Sequence, residues 1–205
     1  TEVVRAIIGA DPRTGGNVFL NGKPLNCRTP HDAIVNGVVM VPEDRKLQGI
    51  IPRMSVGRNI SIGSLDQITN RLGFVNTRRE EQIGLEGKAN FNIKTPDLEK
   101  PIVELSGGNQ QKAIVARWMS TKPKVLILDE PTKGIDVGAK SEFYNMICEF
   151  AKEGLAVILI SSELPEVIGL SDRIIVMRGR RIVGEISAKD ATEEKLLSMA
   201  MMEEA

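Results

Sequence analysis

Short apolar runs alternate along this chain with longer stretches that have helical spacing. The runs contain four or five residues, many of them β-branched, and occupy positions 38–41, 125–128, 156–160 and 173–177. They are too short for helices and too uniformly apolar for a sheet with one solvated face. The pattern therefore predicts buried strands of a parallel sheet.

The stretch between the second and third runs has the spacing of an amphipathic helix. Apolar side chains recur every three or four positions at Phe143, Met146, Ile147 and Phe150, and Gly154 follows as a stop signal. A strand, a helix and a strand in this order predict a right-handed crossover. We therefore expect an α/β fold with a mostly parallel sheet.

Local signals predict a hairpin and a capped helix near the beginning of the chain. Asn21 and Gly22 separate two apolar runs, which is typical of a two-residue hairpin turn. Thr29, Pro30 and Asp32 have the pattern of a capping box at a helix start. By contrast, residues 46–104 contain few strand-like runs and many polar helix formers. We interpret this stretch and the start of the next helix, about 46–112, as a helical subdomain within a single domain, 1–205.

Composition narrows the function classes. The chain has 205 residues, 41% of them hydrophobic, and its 27 basic residues balance its 27 acidic ones. Because the charges balance, the chain has no strong positive field that would attract the phosphate backbone of a nucleic acid, so we expect no nucleic-acid partner.

No apolar run approaches the length of a membrane span, and no secretory leader opens the sequence, so any membrane role is predicted to be peripheral. Cys27 and Cys148 lie far apart, which favours free thiols in the cytoplasm.

Two adjacent carboxylates follow the second apolar run. In "VLILDEP", Asp129 and Glu130 come where the strand is predicted to end, and parallel sheets bind ligands beyond the carboxyl ends of their strands. One carboxylate would hold Mg²⁺ and the next would position an attacking water. The alternative interpretation is a turn with solvated acids.

A glycine-rich segment precedes another predicted helix. In "LSGGNQQK", residues 105–112 and here called the signature segment, Gly107 and Gly108 would let the backbone approach a phosphate closely. The helix start would add unpaired N–H groups and a positive dipole end. Alone, this pattern also fits an ordinary glycine-rich helix start.

Combined, these motifs resemble a known family. The signature segment, "VLILDEP", "GID" at 134–136 and "SSELPEV" occur in the order and spacing of the ATPase domain of ATP-binding-cassette (ABC) transporters. "VPEDRK" at 41–46 and "DEPTKGIDVGAK" narrow the resemblance to the second, C-terminal cassette of the tandem ATPase subunits of bacterial ribose-, xylose- or galactose-type importers. The resemblance covers nearly the whole chain and implies a P-loop NTPase-like ABC ATPase fold.

The resemblance also implies the ligands, ATP and Mg²⁺, and the residues that bind them. Asp129 matches the Mg²⁺-side aspartate, Glu130 the catalytic glutamate and Asp136 the loop that crosses between two cassettes. The signature segment matches the surface that closes on the partner cassette's nucleotide, through Ser106, Gly107, Gly108 and Gln110.

Two substitutions relative to the family pattern predict a degenerate site, and a missing motif predicts an incomplete one. Active cassettes have a glutamine near the metal and attacking water where this chain has Glu43, and a histidine where it has Ser162. The GxxxxGK[ST] phosphate loop is absent, and Thr1 matches that loop's Mg²⁺-ligating hydroxyl. We therefore expect a domain that is incomplete at its N-terminus, with little ATP hydrolysis by the chain alone.

The resemblance implies partners as well. We expect a second ABC cassette in the same polypeptide, membrane permease subunits, an indirect link to a periplasmic sugar-binding protein, and a location on the cytoplasmic face of the cell membrane. Met54, Val56 and Ile60 are the predicted anchors for a permease helix. A non-hydrolysing regulatory cassette and a soluble ABC ATPase unconnected with transport remain the alternatives.

Overall fold

The computed structural model describes residues 1–201, which fall into two compact units. The first unit is Thr1–Ile158 and the second begins at Leu159. Within residues 1–201, no helix combines the length and the apolar character that a membrane span requires.

The helices and strands follow the predicted alternation. In the first unit they are α1 (Glu2–Ile7), β1 (Phe19–Leu20), β2 (Lys23–Pro24), α2 (Pro30–Asn36), β3 (Val38–Val41), α3 (Val56–Ser61), α4 (Leu65–Ile68), α5 (Thr77–Asn90), α6 (Gly107–Met119), β4 (Val125–Asp129) and α7 (Val137–Lys152). Strand β5 (Ala156–Ile160) spans the boundary, and the second unit continues with α8 (Leu164–Leu170), β6 (Arg173–Arg178), β7 (Arg181–Ser187) and α9 (Glu193–Met201).

The central sheet has the strand order β3-β4-β5. Strand β3 pairs with β4 in parallel, with Val38 opposite Val125 and Val41 opposite Leu128. The side chains of Leu126, Ile127 and Leu128 are fully buried, which confirms the interpretation of this run as a core strand. Strand β5 is less buried than predicted, since Ile158 is 41% exposed.

The prediction of a buried parallel strand at 173–177 is wrong. Strand β6 forms an antiparallel hairpin with β7, in which Arg178 lies opposite Arg181. Gly179 and Arg180 both have positive φ angles, as a tight hairpin turn requires. A hairpin strand can keep one face exposed, and β6 alternates between buried and more exposed positions.

The predicted hairpin and helix cap are both confirmed. Asn21 and Gly22 have φ angles of 51° and 73° between the antiparallel strands β1 and β2. At the start of α2, the Asp32 carboxylate accepts a hydrogen bond from the Thr29 N–H at 2.9 Å, and the Thr29 hydroxyl accepts one from the Asp32 N–H at 3.3 Å.

The segment predicted to be helical contains α3, α4, α5 and the first half of α6. Helices α3, α5 and α6 pack against one another, and Gly84 lets α5 approach α3, because a Cβ there would lie 3.2 Å from the Gly57 Cα. Val56 and Ile60 are fully buried in this packing. They are therefore unsuitable as permease anchors, and the prediction is wrong for these two residues. Met54 is only half-buried, so its role as an anchor stays a prediction.

A buried guanidinium connects three parts of this helical region. Arg117, near the end of α6, donates to the Gly49 carbonyl at 2.7 Å and to the Asn59 carbonyl and side-chain oxygens at 2.6 and 2.9 Å. Gly49 ends a π-helical turn, Arg45–Gly49, and Asn59 lies in α3. Burial lowers the pKa of Arg117 to about 10, so the side chain remains charged at neutral pH.

Replacement of Arg117 by methionine should lower the free energy of unfolding by about 3 kcal/mol, because it leaves buried carbonyl acceptors without donors. Arg58→Met, at an exposed position on α3, is the matched control and should change the free energy by less than about 0.5 kcal/mol. Urea unfolding of the two variants checks this expectation. Equal losses would show that the Arg117 hydrogen bonds do not stabilise the helical region.

Candidate functional site

The end of β4 brings two predicted metal-site residues together. Asp129 is fully buried, and its Oδ1 accepts a hydrogen bond from the Thr1 hydroxyl at 3.0 Å. Within residues 1–201, its Oδ2 is buried without a hydrogen-bond partner. A buried carboxylate oxygen in this state needs a donor or a cation, because its desolvation is otherwise uncompensated.

This arrangement fits a magnesium ion. Hydroxyl and carboxylate oxygens are hard ligands, and Mg²⁺ at a phosphate site takes only one or two carboxylates together with waters and phosphate oxygens. Among the described residues, no group of three or more His, Cys, Asp and Glu side chains lies close enough to hold a metal by itself. Thr1 and Asp129 would therefore hold the ion jointly with a phosphorylated ligand.

Glu130 has an unusual backbone conformation directly after β4. Its φ angle is 46°, in the left-handed region that residues with side chains seldom adopt. Such strain persists where the surrounding structure enforces it, and it is common at functional sites. Glu130 is half-buried, whereas Asp129 is fully buried.

The signature segment places an exposed serine at the start of α6. Ser106 is the N-cap residue, and its hydroxyl accepts a hydrogen bond from the Asn109 side chain at 2.9 Å. The first N–H groups of a helix have no acceptor within that helix and lie at the positive end of its dipole. Because Ser106 is exposed, this end of α6 is accessible to an anion.

Gly107 and Gly108 allow close packing around the same helix start. A Cβ at Gly108 would lie 2.8 Å from the Cβ of Ala139 in α7. A Cβ at Gly107 would lie 2.9 Å from a guanidinium nitrogen of Arg45 and 3.2 Å from the Gly134 carbonyl oxygen. The glycines therefore bring α6, α7 and the turn that starts at Arg45 together.

The amide of Gln110 has partners in the interior. It donates to the carbonyls of Leu105 and Ile102 at 3.1 and 3.3 Å, and its oxygen accepts from Arg45 Nε at 3.3 Å. The structure thus gives this buried side chain a role in holding the signature segment. The nucleotide contact predicted for Gln110 stays a prediction.

Asp136 lies at the N-terminus of α7 and caps it. Its carboxylate accepts a hydrogen bond from the Ala139 N–H at 3.0 Å, and the side chain is exposed. An ion pair between Lys112 and Glu142 joins α6 to α7, and the hydrogen bond from Lys112 lowers the pKa of the Glu142 carboxyl. The loop that contains Asp136 is therefore held beside the signature segment.

Glu43 lines the same cavity as Thr1 and Asp129, which has a volume of about 530 Å³. Its carboxylate, however, accepts a hydrogen bond from the Lys133 ammonium at 2.8 Å. Ser162 is an exposed residue of the second unit, in the turn that follows β5. Within the first unit, the structure thus forms two groups of predicted site residues: Thr1, Asp129 and Glu43 line one cavity, and the signature segment lies beside the loop that contains Asp136.

Sequence reasoning missed Arg45, Arg117 and Lys133 as contributors to this region. Their positive charge was visible in the sequence, but their partners lie 58 to 90 positions away. No local pattern identifies such pairs.

Comparison with known proteins establishes the family. Residues 1–133, more than half of the chain, match the family model described as ABC transporter. The chain belongs to this family.

Curated relatives in the family have names that refer to sugar import. The chain is 52% identical over 204 residues to the arabinose import ATP-binding protein AraG of Mannheimia succiniciproducens, with 99% of this chain and 40% of the relative covered. It is 48% identical over 200 residues to a putative ribose/galactose/methyl galactoside import ATP-binding protein of Rhizobium etli, with 98% and 38% covered. The chain thus spans about two fifths of the length of these relatives.

Solved structures confirm the predicted fold class. The ATP-binding cassette MJ1267 of an ABC transporter superposes with a TM-score of 0.79 at 20% identity, over 96% of this chain and 81% of that one. A dimeric post-hydrolysis state of the cassette MJ0796, bound to ADP and Pi, gives 0.73 at 17% identity over 91% and 79%. The chain therefore has the ABC ATPase fold.

Gly108→Ala should lower the free energy of unfolding by about 2 kcal/mol, because the added methyl group overpacks the contact between α6 and α7. Gly138→Ala, in the first turn of α7, is the matched control. A Cβ there meets only the Asp136 carboxylate, at 3.5 Å, so this change should be neutral or slightly stabilising. Chemical denaturation measures both effects, and an unchanged midpoint for Gly108→Ala would contradict the close packing.

Proposed function

We propose that this chain is an ATP-binding cassette of an importer that couples ATP hydrolysis to the uptake of a monosaccharide such as arabinose, ribose, xylose or galactose. The observation that carries this proposal is the exposed start of α6 in an ABC fold, with Ser106 at the N-cap position, beside the loop that contains Asp136. The names of the relatives support the sugar class, since they refer to arabinose, ribose and galactose import.

Each site residue has a defined task in this proposal. Thr1 and Asp129 would hold Mg²⁺, which neutralises phosphate charge in phosphoryl transfer. Glu130 would accept a hydrogen bond from the attacking water and so orient it. The start of α6, with Ser106 and Gly107, would bind the phosphates of a nucleotide held by a second cassette.

The site formed by this chain itself is proposed to be the weaker of the two. Glu43 brings a negative charge towards the cavity that contains Thr1 and Asp129, where it would repel phosphate oxygens. Hydrolysis would therefore occur mainly on the nucleotide that the signature segment of this chain covers.

A non-hydrolysing regulatory cassette is the second candidate. Glu43 favours it, because a carboxylate there repels phosphate oxygens where the family's active cassettes have a neutral glutamine. Glu130 at the end of β4 favours the hydrolytic function.

The proposed partners are a second cassette, membrane permease subunits and, indirectly, a periplasmic sugar-binding protein. The dimer formed by MJ0796 supports the pairing of cassettes. In this assembly the chain would lie on the cytoplasmic face of the cell membrane.

Two substitutions in the complete gene product test the proposed asymmetry. Ser106→Asp brings a carboxylate towards the partner's γ-phosphate, and two like charges about 4 Å apart repel by about 4 kcal/mol at an effective dielectric constant of about 20. Because this repulsion corresponds to roughly a thousandfold in affinity, sugar uptake and ATPase activity should be lost. Glu130→Gln should leave a substantial part of both activities.

Ser106→Asp should add a negative charge at the start of α6 without disturbing the fold. Aspartate is a preferred N-cap residue and its charge suits the positive end of α6, so the fold should be retained or stabilised. Thermal unfolding checks this control, and Ser106→Ala separates loss of the hydroxyl from gain of charge. If Glu130→Gln is as severe as Ser106→Asp, the site formed by this chain turns over and the proposed asymmetry is wrong.

A further inference from the structure

An ion pair joins two segments that lie far apart in the sequence. Lys133 Nζ lies 2.8 Å from Glu43 Oε1, and the two side chains are 65% and 42% exposed. Glu43 follows β3, whereas Lys133 lies in the loop between Glu130 and Asp136. The pair therefore connects the two segments that follow the neighbouring strands β3 and β4.

Glu43 and its neighbour Asp44 lie between two hollows. The larger one, of about 530 Å³, is the cavity that contains Thr1 and Asp129. The smaller one, of about 220 Å³, is lined by Glu43, Asp44, Arg45, Lys46 and Lys133. Since Glu43 lines both, a change of its side-chain torsions would turn the carboxylate from Lys133 towards the larger cavity.

Lys133 is surrounded by negative charge. Its hydrogen bond and attraction to Glu43 raise the pKa of the ammonium, and the charges of Glu130 and Asp44 add to this effect. The ammonium is therefore a resident cation beside carboxylates that would otherwise attract a metal ion.

We propose that Lys133 is a positioning residue that competes with a divalent cation for the carboxylate of Glu43. Paired with Lys133, the Glu43 carboxylate is bound by the ammonium, and the cavity that Glu43 lines has one fewer acidic ligand available for a metal ion. Without Lys133, Glu43 turns towards the cavity and strengthens metal binding there. This inference rests on the proposed function only in taking the Thr1 and Asp129 cavity as the metal site.

Manganese binding to the complete gene product tests the competition. Mn²⁺ alone is titrated against the parent protein, Lys133→Gln, Glu43→Gln and the double variant, and free Mn²⁺ is measured by electron paramagnetic resonance. Lys133→Gln should bind Mn²⁺ about threefold more tightly, in the range expected for an exposed ion pair. The gain should vanish when Glu43 is also glutamine. Mn²⁺ sites elsewhere in the protein contribute equally to all four titrations.

Two controls separate competition from a general charge effect. Lys133→Arg keeps the cation and should bind Mn²⁺ like the parent protein. Lys46→Gln removes a positive charge from the same small hollow and should give a smaller gain than Lys133→Gln, because Lys46 is not paired with Glu43 in the described part of the chain. Thermal midpoints should stay close to that of the parent, since both lysines are exposed.

The inference is overturned if Lys133→Gln binds Mn²⁺ no more tightly than the parent, or if its gain persists in the double variant. It is also overturned if Lys46→Gln gives an equal gain. Failure of the proposed function is distinguishable from this result. It would be seen in separate assays of ATP hydrolysis and sugar uptake, and the Mn²⁺ affinities of the variants could still be compared.

Discussion

The buried guanidinium of Arg117 is the interaction on which the arrangement of the site depends most. It lies near one end of α6 and holds that helix to α3 and to the turn that ends at Gly49. Ser106 and Gly107 lie at the other end of the same helix, about 16 Å away for a rise of about 1.5 Å per residue. Because a helix is stiff over this length, the anchor at Arg117 sets where the signature segment points.

The turn Arg45–Gly49 and the residues just before it are held at three places. Lys133 binds Glu43, Gln110 binds Arg45, and Arg117 binds Gly49. One short segment thus contacts the loop after β4 and both ends of α6. These contacts connect the segment that contains Glu43 to the start of α6 and to the loop between Glu130 and Asp136, which are the surfaces proposed to contact a second cassette.

Much of this fold could be predicted from the sequence, because local patterns determine it. The apolar runs predicted β3 and β4, and the capping box at Thr29 predicted the start of α2. The signature segment and the carboxylates after β4 predicted where the site would lie. These features depend on residues close to one another in the chain.

The remaining features depend on distant residues. The hairpin partner of β6, the burial of Val56 and Ile60, and the ion pair of Glu43 are all set by tertiary packing. An apolar residue on a short helix has the same local pattern whether it packs inside or anchors a partner. That ambiguity is why Val56 and Ile60 were wrongly predicted to be permease anchors.

The central proposal is that the signature segment acts on a nucleotide held by a second cassette, while the cavity at Thr1 and Asp129 contributes little turnover. Photolabelling tests it most directly: azido-ATP is trapped with vanadate in the complete gene product, and mass spectrometry identifies the labelled peptides. We predict label on the second cassette and on the peptide that contains Ser106. Label confined to peptides that contain Thr1 or Asp129 would contradict the proposal.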